Sequence, residues 1–360
     1  MQIHELSLRN FRNYESRAFN FDSKVNIIIG PNGIGKTNVL EAIYVLTHGR
    51  SWRTRYDFEL IKFNEDVANI KAQINSSELF IGLERTQTRR TKKIFKVNGV
   101  TRSMAKFTQH AKSVIFSPQD LDIIIRSPSN RRQFLDEILE QVDFDYKVKS
   151  SELKKIVRNR NKILERINEG FSRYSEIEYW NTSLIKNSSY IHAKRKELIE
   201  YINNFLSERF SIISNSNAKS KVEYLHSVAT KERLEKYKQG EISSKRTLIG
   251  AHKDDLLIEL SKFEYAREQT MSYLDARYYA SRGEQRALVF TLKLASLSYI
   301  QEKLGTGIIL LLDDIYSELD ENHRNAISEY FNSNQVIITT AEKSLVPKSL
   351  LDTSKLLLLS

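Results

Sequence analysis

The sequence predicts an α/β fold, a mixed sheet with flanking helices and an inserted helical lobe. Three observations predict it. A glycine-rich loop stands between a strand-like and a helix-like segment near the start of the 360-residue chain, and a very apolar strand-like run near the end closes on two aspartates. Between them lies a long stretch whose apolar residues recur at helical spacing.

The loop is Gly30-Pro31-Asn32-Gly33-Ile34-Gly35-Lys36-Thr37, which fits the phosphate-loop pattern G-x-x-x-x-G-K-[ST]. Val25 to Ile29 before it read as a buried strand. Asn38 to Leu46 after it read as a helix. Glycines let the backbone wrap closely and turn successive N–H groups inward, forming an anion nest. The positive end of the following helix adds to the same field. The candidate nucleotide contacts are Gly30, Pro31, Asn32, Gly33, Ile34, Gly35, Lys36, Thr37 and Asn38. Lys36 is placed to reach the β- and γ-phosphates, and the Thr37 hydroxyl to ligate Mg²⁺. The loop alone indicates a triphosphate and says nothing of its use.

The remaining elements follow in order. IHELSLRNF, VNIII, VANIKAQI, LFIGLER, KIFKVNG and SVIFSP carry β-branched or aromatic residues in partial alternation and read as strands. Residues 1–126 are thus the first part of the nucleotide-binding unit. Ser127-Pro128 reads as an N-cap with proline at the first helical position. Phe134, Leu135, Ile138, Leu139 and Val142 then form an apolar stripe. A second helix carries Leu153, Ile156, Val157, Leu164 and Ile167, and a third runs from about Tyr179 to Phe210. No heptad register persists, so 127–220 reads as a compact inserted lobe. Ser214 to Ser220 is the clearest linker. Strands return in KVEYLHSVA, TLIGA and DLLIEL, followed by a helix after Gly283, an apolar strand from Gly307 to Leu312 and a short strand from Gln335 to Thr339. Residues 221–360 are therefore read as the second part of the nucleotide-binding unit.

Two further segments carry chemistry. Ile308 to Asp314 is a buried-strand pattern ending in two carboxylates. Asp313 can hold a Mg²⁺ shell, and Asp314 can orient or deprotonate an attacking water. Ser281-Arg282-Gly283-Glu284-Gln285 opens a helix and makes a second anion site, or a plain helix cap.

Composition narrows the setting. The net charge is +11, and cysteine is absent, which excludes disulfides and cysteine-ligated metals. No apolar run approaches the ~20 residues that cross a bilayer, and MQIHELSLRNFRNYES lacks a signal-peptide core. A cytoplasmic protein with no membrane partner is expected. Between Glu84 and Lys112 stand nine Lys or Arg and one acid. Lys93 to Arg102 reads as a hairpin about an Asn98-Gly99 turn. Arg89, Arg90, Lys92, Lys93, Lys96 and Arg102 are candidate DNA contacts; the alternative is an edge strand protected by its charge.

Taken together, LSLRNFRNYES, GPNGIGKTNVLEAIYVL, SPQDL, RSPSNRRQFLD, GAHKDDL, SRGEQRAL and LLLDDIYSELD with TTAE resemble ATP-binding-cassette (ABC) ATPases of the SMC and Rad50 type. The resemblance spans nearly the whole chain and implies an ABC-type P-loop ATPase head. It further implies a DNA-binding protein of recombinational repair and replication-fork maintenance that uses ATP and Mg²⁺. By that likeness Gln119 is the Q-loop glutamine, sensing metal and lytic water. Ser281, Arg282, Gly283, Glu284 and Gln285 are the signature loop, acting on the ATP of a second copy. Asp320 is the D-loop aspartate at the dimer seam. Arg50, Arg53 and Arg55 match a basic loop that touches nucleotide or DNA in related heads. Also implied are an ATP-dependent homodimer, binding of single-stranded and duplex DNA and their junctions, and the mediator proteins RecO and RecR as partners.

Two departures from ABC transporters bear on rate. Asp314 stands where they carry Glu, and Thr339-Thr340 where they carry a His. Both imply a slow, DNA-stimulated ATPase used as a switch. Other readings are a transporter's nucleotide-binding subunit, a small-molecule kinase or GTPase, and a long-armed SMC or Rad50 protein. The basic hairpin and the matching blocks argue against the first. The missing N-K-x-D motif argues against a GTPase, and a kinase has no use for the Ser281 loop. The chain is too short for the third.

Overall fold

Alternating β-branched and aromatic residues build the early strands: β1 (Ile3–Phe11), β2 (Tyr14–Asn20), β3 (Val25–Ile29), β4 (Val67–Ile74), β5 (Ser77–Arg85), β6 (Thr91–Val97), β7 (Val100–Arg102) and β8 (Ser113–Phe116). Later come β9 (Ser220–Leu225), β10 (Asp255–Phe263), β11 (Met271–Asp275), β12 (Ile309–Asp313), β13 (Gln335–Thr340) and β14 (Lys355–Leu358). This computed structural model describes residues 1–22, 24–86, 91–263, 271–317 and 319–360. The chain divides into two units, Met1–Asp120 with Ile300–Ser360, and Leu121–Tyr299.

In the first unit, parallel and antiparallel strands are kept in separate sheets. Five strands pair in parallel in the order β14-β3-β13-β12-β8. Every residue of β3, β12, β13 and β8 is buried, as expected of a parallel sheet covered on both faces. Six strands pair antiparallel in the order β2-β1-β4-β5-β6-β7. Here side chains alternate. Ile70, Ala72 and Ile74 are buried while Lys71 is exposed, so one face is covered and the other wet. The helix Lys36–His48 packs on β8, β12 and β13 of one sheet and on β5 of the other, and is buried nearly all round. Gln335 stitches the sheets together, accepting from the Ile3 N–H at 2.7 Å and donating to the Ile3 carbonyl at 2.8 Å.

β14 has no counterpart among the expected strands. Its apolar run is too short to distinguish strand from helix by period. It borders β3 from Lys355 opposite Asn26 to Leu358 opposite Ile29. Gly30 lies directly beyond this pairing, where a Cβ would sit 2.7 Å from the Leu359 carbonyl oxygen.

The second unit is helical on one side. Pro128–Val142 starts on Ser127 with Pro128 in its first turn, as expected, though the Ser127 hydroxyl turns to Ser129 and Asn130 and not to the backbone. Phe144–Asn168 and Glu178–Ile213 follow. A three-stranded antiparallel sheet, β11-β10-β9, belongs to the same unit. β9 packs on the Glu178–Ile213 helix and β10 on Pro128–Val142. The compact unit therefore runs past the expected boundary at 220/221, because β9 to β11 find their partners among these helices. TLIGA is no strand. It leads through a turn into a short 3₁₀ helix at Ala251–Lys253. The segment before it forms an unanticipated helix, Lys231–Ser244, capped by the Thr230 hydroxyl. Among the described residues, no helix is long and apolar enough to cross a membrane.

Candidate nucleotide site

Ligands of open parallel sheets gather at the carboxyl ends of the strands, and this chain's chemistry collects there. β3 runs into the Gly30–Thr37 loop, β12 ends on Asp313, β13 ends on Thr340, and Gln119 follows β8 in a short 3₁₀ helix, Pro118–Leu121. Gly35 is the N-cap of the Lys36–His48 helix with φ +113°, in the left-handed region that favours glycine. A Cβ there would lie 2.7 Å from the Asn13 amide atoms. Asn13 donates to the Ile34 carbonyl at 2.8 Å, and the Tyr14 hydroxyl donates to the Gly35 carbonyl at 3.1 Å. The turn after β1 thus clamps the phosphate loop from outside.

Lys36 is 7% exposed and curls over the loop, its Nζ 2.7 Å from the Gly30 carbonyl oxygen and 3.1 Å from that of Pro31. The Thr37 hydroxyl donates to Asp313 Oδ1 at 2.8 Å, and the Thr339 hydroxyl reaches the same atom at 2.8 Å. Burial pushes the Asp313 carboxyl up. The Thr37 and Thr339 bonds and the Arg53 charge pull the other way, Asp314 adds to the rise, and the net shift is upward. A hydroxyl and a carboxylate brought together here are hard oxygen donors and fit Mg²⁺. The geometry suits a metal whose other ligands are phosphate oxygens and water.

Asp314 is half-buried at φ +53°. Its N–H donates to the Thr339 carbonyl at 3.2 Å and hydroxyl at 3.0 Å. Thr339 and Thr340 are fully buried, and the Thr340 hydroxyl bonds to the Glu342 carbonyl at 3.1 Å. Gln119 is exposed.

Residue pattern alone did not reveal the hub behind the loop. Glu41, on the Lys36–His48 helix, is 0% exposed. Its carboxylate accepts a two-pronged contact from Arg12 at 2.8 and 2.7 Å, one from Arg53 at 3.3 Å and the Ser51 hydroxyl at 2.5 Å. Arg53 also donates to Asn38 Oδ1 at 2.8 Å, and Asn38 to Asn13 at 2.8 Å. Removing one partner of a buried ion pair leaves the other charge uncompensated. Glu41→Ala is expected to destabilise the fold by about 3–5 kcal/mol, read from the shift of the urea midpoint. A loss below about 1 kcal/mol would mean that both arginines find other partners.

The remaining candidates divide. Ser281 and Glu284 form a reciprocal capping box: the Ser281 N–H donates to Glu284 Oε2 at 2.6 Å, and the Glu284 N–H to the Ser281 hydroxyl at 3.3 Å. Ser281, Arg282 and Gly283 are exposed, and a Cβ on Gly283 would meet nothing within 4 Å. Gln285 faces inward, 4% exposed. Asp320 caps the Glu321–Ser328 helix, accepting the His323 N–H at 2.9 Å. Burial pushes its carboxyl up, but the bonds from His323 outweigh that and hold it low.

Within the basic hairpin, Asn98 and Gly99 take positive φ, +48° and +77°, as the expected turn requires. Its cations do not share a face. Lys92 and Lys96 point to the open side, opposite Glu84 and Phe80. Lys93 turns to the covered side and is tied up, donating to the Gly49 carbonyl at 2.9 Å and pairing with Asp57 at 2.7 Å. Arg102 is exposed, on the face of its cross-strand neighbour Phe95. Arg89 and Arg90 lie outside the described residues.

Two quoted blocks meet in the second unit. Arg131 of RSPSNRRQFLD grips Asp255 of GAHKDDL at 2.6 and 3.0 Å. Arg195, 3% exposed, binds Asp254 at 2.7 Å and Asp136 at 2.8 Å. Arg195 stands four residues after Ile191 and three before Leu198, so helical spacing places it on the buried face although its charge alone does not.

Known proteins resemble this chain over nearly its whole length. The family model described as RecF/RecN/SMC N terminal domain matches residues 2–355. The DNA replication and repair protein RecF of Thermoanaerobacter sp. (strain X514) is 32% identical over 361 residues, covering 95% of each chain. That of Lachnospira eligens is 33% identical over 347 residues, covering 94% of this chain and 92% of its own. A solved structure of the recombination mediator protein RecF with ATP, of the RecFOR pathway, superposes with a TM-score of 0.85 at 31% identity, over 96% of this chain and 93% of that one. An SMC head bound to the C-terminal winged-helix domain of ScpA shares the fold, with a TM-score of 0.50 at 17% identity, over 95% of this chain and 90% of that one.

Proposed function

This chain belongs to the RecF/RecN/SMC N-terminal domain family, and from that membership we propose that it is an ATP-operated DNA clamp of replication and repair, closed by a nucleotide held between two copies. The Thr37–Asp313 contact carries the reading, since it joins the phosphate loop to the acidic strand end in the arrangement a Mg-triphosphate needs. In each copy the loop amides and Lys36 bind the phosphates. Thr37, Asp313 and Gln119 would hold Mg²⁺, whose charge would offset that of the phosphates. Arg53, held beside the loop by Glu41 and Asn38, adds positive charge near the phosphates.

Ser281 and the N–H groups near Gly283 bind the γ-phosphate held by the other copy. Their exposure supports this role. A ligand that exists only in the assembled pair favours assembly by mass action. Asp314 orients the attacking water and takes its proton; water adds to the γ-phosphorus, the bond to the β-bridging oxygen breaks, and ADP and phosphate leave. The bridge is then lost and the pair separates. Thr339, engaged with Asp313 and Leu312, offers no charge to the γ-phosphate. That supports slow turnover suited to a switch.

Closure pools two basic surfaces, so DNA binding strengthens with dimerisation and weakens with salt. Lys92 and Arg102, both exposed, and the half-buried Lys96 are described hairpin cations available for such contacts. Single-stranded DNA, duplex DNA and their junctions are the proposed substrates, RecO and RecR the proposed partners, and the cytoplasm the proposed setting.

Ser281→Arg tests the seam. Monomer affinity for ATP should stay within about threefold, since the change lies outside the phosphate loop. ATP-driven dimerisation in sedimentation, and the DNA retention that depends on it, should be lost. A variant that still dimerises with ATP overturns the shared-nucleotide reading.

A further inference from the structure

Two tyrosines beside the signature loop have no part in the scheme above. Tyr278 and Tyr279 are 76% and 55% exposed, at the end of the short helix Ala276–Tyr279. A lone exposed aromatic is ordinary. These two are adjacent, stand just ahead of Ser281 and are held stiffly.

The stiffness has a visible cause. Asp275 caps the short helix by accepting the Arg277 N–H at 2.9 Å. The Arg277 side chain folds back onto the same carboxylate through contacts of 3.0, 2.9 and 2.6 Å. Its guanidinium lies 5.4 Å from the centre of the Tyr278 ring. The buried Gln285 amide donates to the Ala276 carbonyl at 2.9 Å and the Arg277 carbonyl at 3.4 Å. The turn bearing the tyrosines and the helix start bearing Ser281 are therefore one rigid piece. Wherever Ser281 is presented, the two rings are presented with it.

We propose that Tyr278 and Tyr279 are the anchor side chains with which one chain grips a second copy of itself, next to the point where Ser281 meets that copy's ATP. The proposal rests on the shared-nucleotide reading and deepens it. Tyrosines suit the task. They bring large amphipathic contact area at the cost of few rotatable bonds, and such residues dominate the energetics of interfaces. Continuity with Ser281 selects a second copy as the occupant. Charge agrees: Arg282 and Arg286, exposed in the first turns of the Arg282–Leu304 helix, complement the exposed Asp320 expected at the same seam. A nucleic-acid strand could also stack on tyrosine, but Arg277, the cation beside the Tyr278 ring, is already neutralised by Asp275.

The test is the double variant Tyr278→Ala with Tyr279→Ala, beside a Phe,Phe double variant and Ser281→Arg, all in sedimentation equilibrium with saturating Mg-ATP. The Ala pair should raise the dimer dissociation constant at least ~30-fold with monomer ATP affinity unchanged. The Phe pair, which keeps the rings, should stay within about threefold. If the Ala pair dimerises normally while Ser281→Arg does not, the anchor proposal is overturned and the seam stands. If Ser281→Arg also dimerises, the seam reading itself fails and the anchors with it. An Ala pair that dimerises normally but loses ATP-independent binding of single-stranded DNA assigns the rings to nucleic acid and likewise overturns the proposal.

Discussion

Lys36→Ala is expected to weaken ATP binding at least ~100-fold, by removing charge-assisted hydrogen bonds worth about 3 kcal/mol. The chain should then remain monomeric at ATP concentrations that pair the unaltered protein. The ammonium already sits in the hollow of the loop, held by the Gly30 and Pro31 carbonyls. A γ-phosphate arriving there replaces two weak carbonyl contacts with a doubly charged partner, so lysine gains in the bound state. Alanine leaves the backbone amides and the helix terminus to hold the anion alone. Titration calorimetry with ATP and light scattering read the two effects. Undiminished ATP affinity in the variant would remove Lys36 from the site.

Asp314→Asn should lower single-turnover phosphate release ~100-fold or more, the usual contribution of a positioned general base, while the ATP-bound dimer becomes longer-lived. The change is nearly isosteric. Asparagine, like aspartate, tolerates a left-handed backbone, so the φ of +53° and both contacts from the Asp314 N–H to Thr339 can persist. Binding and assembly should then survive a loss confined to the chemical step. A variant that stays monomeric at saturating Mg-ATP, or that hydrolyses at the normal rate, would dismiss Asp314 as the base.

The parts of the fold that local pattern encodes were legible in the sequence. β3, the phosphate loop and its helix are marked by an isoleucine-rich run, a glycine motif and helical spacing in immediate succession. The Asn98-Gly99 turn needs left-handed φ at two residues, which those residue types supply. Other parts depend on distant partners. β14 becomes a strand because β3 offers it an edge, and TLIGA stays irregular for want of one. The faces of the hairpin cations follow from which side of the sheet is covered; Lys93 turns inward to Asp57, a residue far from it in sequence. Glu41 and Arg195 are charges whose partners come from other segments, so the sequence around each does not show what neutralises it. The Ser281 loop forms the helix cap that its residue types allow, and the exposed serine leaves the anion-site reading a proposal.

The interleaved order of the parallel sheet has a consequence for how this chain is made. β3 and β8 leave the ribosome early, whereas β12, β13 and β14, which flank them, are encoded in the last stretch of the message. At ~5–20 residues per second the wait from β8 to β14 is on the order of 10–50 s. Until β13 emerges, β3 has neither neighbour, and the unpaired backbone edges of this isoleucine-rich strand stay open to any extended segment nearby. The second unit, encoded without interruption, can fold during that interval. Nascent chains that stall before β12 are thus the form of this protein most exposed to aggregation, and the newborn polypeptide has the greatest need of a chaperone before its closing strands emerge.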